Sequence, residues 1–337
     1  MFNTLLGQLN ASHMGLYGRD REKTQSEKTG LLGIDINTLP TGIEIMRVIP
    51  DSPADKITSK LNKGDVILAV NGNFVTEKIN FWSQLANTAN EKIVLQVKDK
   101  TGVQREVVIR PVTSLRNQLY DEWVKDRRKL TDQYSGGKLG YLHIRGMDMT
   151  SFERFERELT AAGHGKEAIV IDVRYNGGGW TTDYLMAILN VKQHAYTIPR
   201  GAENSLSNNK KYRNYYPFAE RLPFFAWNKP SIAICNAASY SNAEIFSHAY
   251  KNLGIGTLVG KPTFGAVIST SGVGLLDGSF VRMPFRGWFV KANDMNMDKE
   301  PARPDIDIDN SPDHRAKGVD EQLKKACEEL LKQIDSK

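Results

Sequence analysis

The stretch that most constrains the fold is a run of six almost entirely apolar residues, AIVIDV at positions 168–173, followed at once by RYNGGGW at 174–180. The apolar run predicts a buried strand, and a helical pattern follows the glycines. Strands and helices also alternate around it: strands are predicted at 139–144, 231–235 and 258–260, and helices at 149–162 and 242–253. This order predicts an α/β fold for the second part of the chain.

Three consecutive glycines at the end of this strand give the fold its first candidate site. Gly177, Gly178 and Gly179 allow backbone N–H groups to point outward at a helix start, where an anion or a developing oxyanion is stabilised. The segment lacks the GxGxxG spacing of a dinucleotide site and the Gly-Lys-Ser/Thr of a phosphate loop. Taken alone, three such glycines more often form a structural turn than an oxyanion hole.

Residues 30–112 have a different pattern, with short β-rich runs separated by turn signals. Strands are predicted at 32–36, 42–49, 65–70, 93–97 and 107–109, with a helix at 80–88. The motif order resembles a PDZ domain, through GLLG at 30–33, DSPA at 51–54, KGD at 63–65 and VNG at 70–72. The resemblance implies peptide binding by strand addition, with Gly30, Leu31, Leu32 and Gly33 receiving a C-terminal carboxylate. Alternatively, Gly30 and Gly33 are only turn residues.

These patterns predict three parts: an N-terminal segment at 1–29, a PDZ-like domain at 30–112 and an α/β domain at 113–337. A charged helix is expected at 115–134 as a connector. The stretch 193–227 interrupts the alternation without clear periodicity, and a long loop is expected there.

Composition excludes several classes of protein. The net charge is +6 over 337 residues, but basic and acidic residues are interleaved, so a nucleic-acid partner is not expected. No His, Cys, Asp set has the spacing of metal ligands, and no cofactor is expected. No apolar run reaches the roughly eighteen residues that span a bilayer, and residues 1–9 lack a signal-peptide pattern. We therefore expect no membrane partner and, if Met1 is the native start, a cytoplasmic protein.

A polar cluster, NAASYSNAE at 236–244, lies between the predicted strand 231–235 and the predicted helix 242–253. Ser241 falls at this junction, where a hydroxyl is held in the open near the positive end of a helix. Alone, Ser239 or Ser241 would more often cap a helix. Both this cluster and the glycines follow strands of one α/β domain, however, and such sheets bind ligands at the carboxyl ends of their strands.

Three segments together resemble the core motifs of the carboxyl-terminal processing peptidases and the tricorn protease: DVRYNGGG at 172–179, NAASYSNAEI at 236–245 and GKPTFG at 260–265. The resemblance implies a crotonase/ClpP-like α/β catalytic domain with the PDZ-like domain inserted. It also implies that Ser241 is the nucleophile and that the N–H groups of Gly178 and Asn242 form the oxyanion hole. Gly177 and Gly179 are carried over as substrate-binding residues.

The branches of this family activate serine differently, which indicates the base. The processing peptidases use a lysine shortly after the Phe-Gly of the third motif, but here Ala266 follows. The tricorn branch uses a Ser-His pair before the PDZ domain, and LNASH at 9–13 resembles it. The resemblance therefore implies that His13 is the base. It further implies that Ser12 and a late acidic residue orient His13. Alignment of NMDKEPARPD at 296–305 on its prolines places Asp298 at that position, with Glu300 as the alternative.

Other residues are weaker candidates for the base than His13. His248 lies seven residues after Ser241 on the same predicted helix, roughly 10 Å away at about 1.5 Å per residue, which excludes a direct hydrogen bond. Lys261 is close to the third motif, but its Gly-Lys-Pro setting predicts a turn. Most of the remaining histidines, His164, His194 and His314, lie in polar surroundings and are expected to face solvent.

The expected function is that of a serine peptidase acting on peptides or unfolded polypeptides, with the PDZ-like domain engaging substrate. One alternative is a catalytically silent PDZ-type peptide-binding scaffold. A second alternative is a protein that binds an acyl-thioester ligand, because the glycine-bearing α/β core is similar to the crotonase fold. The resemblance also implies a homo-oligomer. The tricorn branch carries β-propeller domains that this sequence lacks, so the chain is either a fragment or a compact relative.

Overall fold

The computed structural model of the chain describes residues 2–18, 27–191 and 226–336. Its helices are α1 Phe2–Gly7, α2 Arg116–Ser135, α3 Met149–Gly163, α4 Thr182–Leu189, α5 Asn242–Asn252, α6 His314–Lys317 and α7 Glu321–Asp335. Its strands are β1 Gly15–Tyr17, β2 Ile34–Leu39, β3 Gly42–Val48, β4 Val66–Val70, β5 Asn73–Phe74, β6 Ile93–Lys98, β7 Gln104–Ile109, β8 Leu139–His143, β9 Ala168–Asp172, β10 Ser231–Cys235, β11 Leu258–Gly260, β12 Ile268–Gly274, β13 Phe280–Gly287, β14 Phe289–Val290, β15 Met295–Asn296 and β16 Ile306–Asp307. Short 3-10 helices occur at Pro53–Asp55, Ile57–Ser59 and Phe81–Leu85.

The chain forms two compact units. The α/β unit combines Met1–Asp20 with Arg127–Lys337, and the β unit is Arg21–Asp126. The expected division assigned 1–29 to a separate segment, but the N-terminal residues belong to the α/β unit because β1 is a strand of one of its sheets. The division between the two compact units falls within α2, and the domain boundary predicted at 112/113 stays a prediction.

The β unit is an antiparallel sheet in the order β2-β3-β4-β6-β7, with β5 paired to β4. Its alternating apolar residues, such as Ile93, Leu95 and Val97 in β6, form a separate hydrophobic core. The helix expected at 80–88 is shorter, because Ala86 turns into an extended bridge with Thr29 and ends it. Strand β2 lies at the edge of this sheet.

The α/β unit is built around a five-stranded parallel sheet in the order β16-β11-β10-β9-β8. Every residue of β8, β9 and β10 is buried, as expected for parallel strands covered on both faces. Helices α3, α4 and α5 contribute side chains to the same core as these strands, and α7 packs against β9, β10 and β11. Within the described residues, the alternation predicted from 139 to 260 is confirmed, and the predicted bounds differ from the observed ones by at most one residue.

A second, three-stranded antiparallel sheet in the order β1-β13-β12 was not predicted. Within it Gly15 pairs with Arg282, Leu16 with Val281 and Tyr17 with Phe280. The Asn3 side chain also bonds both backbone groups of Leu16, at 2.6 Å to its N–H and 3.1 Å to its carbonyl. This pairing fixes the chain immediately after His13 to the α/β unit.

A buried charge cluster holds the end of β9. Arg174 is 1% exposed, and its guanidinium bonds Asp172 at 2.6 Å and Asp320 at 2.9 Å. Burial alone would lower the pKa of Arg174, but the two carboxylates outweigh it and raise that pKa well above its usual value. Because Asp320 is the N-cap of α7, the cluster ties the beginning of the glycine segment to the C-terminal helix.

Among the described residues, none of the helices combines the length and the apolar character that crossing a bilayer requires. The predicted long loop at 193–227 lies outside the described residues, apart from its last two positions.

Candidate active site

Ser241 lies at a sharp turn between β10 and α5. Its backbone has φ 58° and ψ −117°, a conformation that residues other than glycine rarely adopt. Such strain is stored where the surrounding structure enforces it, and a strand, a tight turn and a helix is the arrangement that exposes a nucleophilic serine. The side chain of Ser241 therefore projects from a fixed backbone position.

Glu244 holds this turn from within. Its carboxylate is fully buried and accepts hydrogen bonds from the Ser241 N–H at 3.0 Å and from Thr263 Oγ1 at 2.7 Å. The N–H groups of Gly265 and Ala266 also donate to it. One carboxylate thus joins the serine motif to the third motif. Sequence reasoning missed this role, although Glu244 stands three residues after Ser241, the spacing of a capping box.

The glycine segment lies against the serine turn. A Cβ atom on Gly178 would be 2.7 Å from Ser241 Cβ and 2.9 Å from the Asn242 nitrogen, so only glycine fits. The φ of Gly178 is 86°, which also favours glycine. The Tyr240 N–H donates to the Asn176 carbonyl at 2.9 Å, which joins the two segments directly.

The two expected oxyanion donors differ in their surroundings. The Gly178 N–H donates to Asn176 Oδ1 at 2.9 Å, so it already has a partner. No partner occurs for the Asn242 N–H within the described ranges, and the Asn242 side chain is fixed by Thr182, whose N–H donates to Asn242 Oδ1 at 3.0 Å. Both nitrogens remain beside Ser241, but an oxyanion would have to share the Gly178 N–H with Asn176.

Gly177 and Gly179 have different environments. A side chain on Gly177 would meet nothing within 4 Å, and the residue is exposed beside the site. Gly179 forms a parallel bridge with Met147, and a Cβ atom there would lie 2.0 Å from the Met147 carbonyl oxygen. The presence of glycine at 179 is therefore explained by close backbone packing.

His13 is brought to Ser241 across 228 positions of sequence. Its Nε2 lies 3.0 Å from Ser241 Oγ, within hydrogen-bond distance. His13 itself has φ 63°, immediately before the segment that β1 fixes to β13. A base and a hydroxyl in this geometry are the two groups that nucleophilic catalysis by serine requires.

The acidic neighbour of the Ser12-His13 pair is Asp298, not Glu300. Ser12 Oγ donates to Asp298 Oδ1 at 2.7 Å, whereas Glu300 is exposed. Within the described residues, however, the hydrogen bond at His13 Nδ1 is made with Tyr240 Oη, at 3.2 Å, and none is found with Ser12. The Tyr240 ring also stacks on the imidazole, with centroids 4.8 Å apart. Sequence reasoning missed Tyr240, although it adjoins Ser241.

Burial and a nearby positive charge favour the neutral form of His13. Burial lowers the pKa of His13 below its usual 6.5, and the nearby charge of Arg282 lowers it further. Asp298 opposes both effects but does not outweigh them. The imidazole is therefore able to accept a proton at neutral pH.

The rival bases are occupied or distant. Lys261 forms an ion pair with Asp307 at 2.7 Å. His248 is buried two turns along α5 from Ser241, and His143 bonds the Arg174 carbonyl at 2.8 Å. Ala266 lies at the position where the processing peptidases carry lysine, and its side chain is buried. His164 is exposed, the His314 ring bonds the Ser311 carbonyl, and His194 lies outside the described residues.

Two backbone amides of the PDZ-like loop are already hydrogen-bonded within the fold. The Gly30 N–H donates to the Leu85 carbonyl at 2.8 Å and the Leu31 N–H to the Val112 carbonyl at 2.9 Å. These two amides are therefore not available to bind a C-terminal carboxylate. Binding of a carboxylate by the N–H groups of Leu32 and Gly33 stays a prediction. Gly33 has φ 88° and lies against Ser52, so it is also a turn residue.

Two segments of the chain match models of known protein families. Residues 138–308 match the model of peptidase family S41, which is just over half of the chain. The chain belongs to this family. Residues 30–114 of this peptidase-family chain match the PDZ domain of the tricorn protease, which supports the resemblance seen in GLLG and its neighbours.

Curated relatives of this family member are much longer. Tricorn protease homolog 1 of Streptomyces coelicolor is 29% identical over 95% of this chain, which covers 29% of that protein. The tricorn protease of Thermoplasma volcanium is 25% identical over 81% of this chain, which covers 25% of that protein. The chain thus spans less than a third of the length of either relative.

A solved structure supports the fold. The crystal structure of the tricorn protease superposes with a TM-score of 0.82 over 98% of this chain and 31% of that one, at 23% identity. Together with the family matches, it confirms the expected α/β fold with a PDZ domain.

Removing either of the two charges near His13 should shift its pKa, in opposite directions for the two variants. Arg282→Met removes a positive charge and should raise the pKa of His13, whereas Asp298→Asn removes a negative charge and should lower it. Titration of the 15N-labelled imidazole followed by NMR measures both without any substrate. Equal shifts of the same sign in the two variants would contradict this account of the site.

Close packing at Gly178 gives a second prediction. Gly178→Ala should lower the free energy of unfolding by about 1–3 kcal/mol, because the new methyl group would overlap Ser241 and the backbone would be strained. The matched control is Gly177→Ala, where space is open and the change should stay within about 0.5 kcal/mol. Urea unfolding measures both, and equal losses would show that the two glycines are packed alike.

Proposed function

We propose that this chain carries the catalytic centre of a serine peptidase that hydrolyses peptides or unfolded polypeptides. The observation that supports this most strongly is the distance of 3.0 Å between His13 Nε2 and Ser241 Oγ, at a strained turn of a peptidase-family fold. A helix cap would need neither the histidine nor the strain. This geometry favours a peptidase over the silent scaffold, and family membership favours it over an acyl-thioester ligand.

In the proposed reaction, Ser241 Oγ attacks the scissile carbonyl while His13 Nε2 takes its proton. His13 then returns the proton to the leaving amine, and water repeats the sequence to release the acyl group. The nearby negative charge of Asp298, whose carboxylate accepts a hydrogen bond from Ser12, stabilises the positive charge on the imidazolium. The Asn242 N–H and, shared with Asn176, the Gly178 N–H stabilise the oxyanion.

We further propose that the β unit engages the substrate. Its strand β2 lies at the edge of the sheet, where an extended peptide can add as a further strand. The N–H groups of Leu32 and Gly33 precede this strand and are the remaining candidates for a C-terminal carboxylate. Gly177, exposed beside Ser241, is proposed to contact substrate near the scissile bond.

An active-site fluorophosphonate tests the catalytic proposal. Ser241→Ala should abolish covalent labelling, and His13→Ala should slow it by about 100-fold or more, because general base catalysis contributes that much. Ser271→Ala and His164→Ala are matched controls, since both residues are exposed and lie outside the site. Labelling that survives Ser241→Ala would refute the assignment, and a protein that never labels would favour the silent scaffold.

A homo-oligomer and a cytoplasmic location are also proposed. Large apolar side chains are exposed around β12 and β13, including Leu276, Phe280 and Phe285, and such patches often mark interfaces. Both cysteines are free and buried, as is common in reducing compartments. Cell fractionation tests the location.

Native mass spectrometry tests the assembly. We expect a mass that is a multiple of the 37.8 kDa chain, because association would cover the exposed apolar side chains of β12 and β13. Leu276→Lys, on this surface, should shift the population toward the single chain, whereas Ile57→Lys on the β unit should not. A single 37.8 kDa species at micromolar concentration would contradict the proposal.

A further inference from the structure

The imidazole of His13 has a different hydroxyl at each nitrogen. Nε2 lies 3.0 Å from Ser241 Oγ, and Nδ1 lies 3.2 Å from Tyr240 Oη. The phenol and imidazole rings are nearly parallel, with an angle of 22° between their planes. Tyr240 therefore contacts the imidazole through both its face and its hydroxyl.

This contact bears on which nitrogen of His13 carries the proton. A neutral imidazole has one N–H donor and one acceptor, and Nε2 must be the acceptor if it is to take the Ser241 proton. The proton then resides on Nδ1, where it needs an acceptor. Ser12, the orienting residue implied by the family resemblance, bonds Asp298, and the described residues show no hydrogen bond between Ser12 and Nδ1. Within the described part of the chain, the oxygen bonded to Nδ1 belongs to Tyr240.

We propose that Tyr240 is a positioning residue for the base: its phenol oxygen accepts the His13 Nδ1–H and its ring sets the plane of the imidazole. This inference rests on the proposed function, because it presupposes that His13 is the base for Ser241. Tyr240 does not exchange a proton in the reaction. The Ser241 proton moves to Nε2, and the Nδ1–H stays bonded to the phenol oxygen throughout.

Tyr240 is itself held in place by a backbone hydrogen bond, a ring contact and its covalent link to Ser241. Its N–H donates to the Asn176 carbonyl at 2.9 Å, its ring meets the edge of Phe264 at a centroid distance of 5.0 Å, and Ser241 follows it in the chain. The residue that orients the base therefore adjoins the nucleophile, so a movement of the turn would carry both groups together.

The phenol remains protonated in this role. Burial raises the pKa of Tyr240, Arg282 opposes the rise, and the charges of Glu244 and Asp298 and the phenol of Tyr17 add to it. A neutral acceptor at Nδ1 stabilises the imidazolium less than a carboxylate would. This fits a base whose pKa lies below its usual value, with Arg282 and Asp298 as the charged groups that act on it.

Tyr240→Phe tests the proposal, because it keeps the stacked ring and removes only the hydroxyl. We expect the rate constant of fluorophosphonate labelling to fall roughly tenfold or more, less than on loss of the whole base. The acidic limb of its pH profile should move to lower pH, since the imidazolium loses a hydrogen bond. Tyr184→Phe is the matched control, because Tyr184 lies on α4 away from the imidazole.

The 15N chemical shifts of the His13 ring provide a readout independent of activity. In the wild type we expect the proton on Nδ1, and in Tyr240→Phe a mixture of both tautomers. A wild-type His13 that carries its proton on Nε2 would overturn the proposal without any variant. So would Tyr240→Phe with a labelling rate within twofold of the wild type and unchanged shifts.

Failure here is distinguishable from failure of the catalytic proposal. If Ser241→Ala and His13→Ala lose labelling while Tyr240→Phe behaves as the wild type, only the role of Tyr240 is refuted. If labelling persists in Ser241→Ala, the catalytic proposal itself is refuted.

Discussion

Three residue pairs of antiparallel sheet make the active-site geometry possible. Gly15, Leu16 and Tyr17 pair with β13, and His13 stands two residues before this pairing. An unattached N-terminal segment would lose conformational entropy each time it approached the serine. In this fold the segment is ordered when the protein folds, because β1 pairs with β13 and the Asn3 side chain bonds Leu16. His13, the proposed base, is consequently held beside Ser241 by the fold itself.

Two buried charged groups hold the segments that meet at the site. Glu244 joins the serine turn to the third motif, and Arg174 joins the start of the glycine segment to α7. Removing one partner of a buried, hydrogen-bonded charge typically costs about 3–5 kcal/mol, because the other charge stays buried without compensation. The conformation of Ser241, which is unfavourable in isolation, is maintained by such contacts.

Electrostatics at the base differ from those of a histidine bonded directly to a carboxylate. Asp298 bonds Ser12, while the oxygen hydrogen-bonded to Nδ1 is that of the Tyr240 phenol. Arg282 adds a positive charge to the same environment, and the pKa of His13 lies below its usual value. A weaker base is then available in its neutral form over a wider range of acidic pH.

Much of this arrangement could be predicted from the sequence. The alternation of apolar runs and helical patterns predicted the strands and helices from 139 to 260, because hydrophobic periodicity is a local property. The absence of lysine at Ala266 and the LNASH segment together indicated His13. The sheet of β1, β12 and β13 was not predicted, since the pairing partner of a three-residue strand is not encoded in its own periodicity.

The sequence by itself determined the α/β core through local patterns, and its resemblance to known motifs indicated the PDZ-like segment and the candidate catalytic residues. Only the tertiary structure decided that Asp298 rather than Glu300 meets Ser12, that the Gly30 and Leu31 amides are already bonded, and that Tyr240 contacts the base. The physical reason is distance along the chain. Contacts across some 228 positions depend on sheet register and turn geometry, which no local window of sequence specifies.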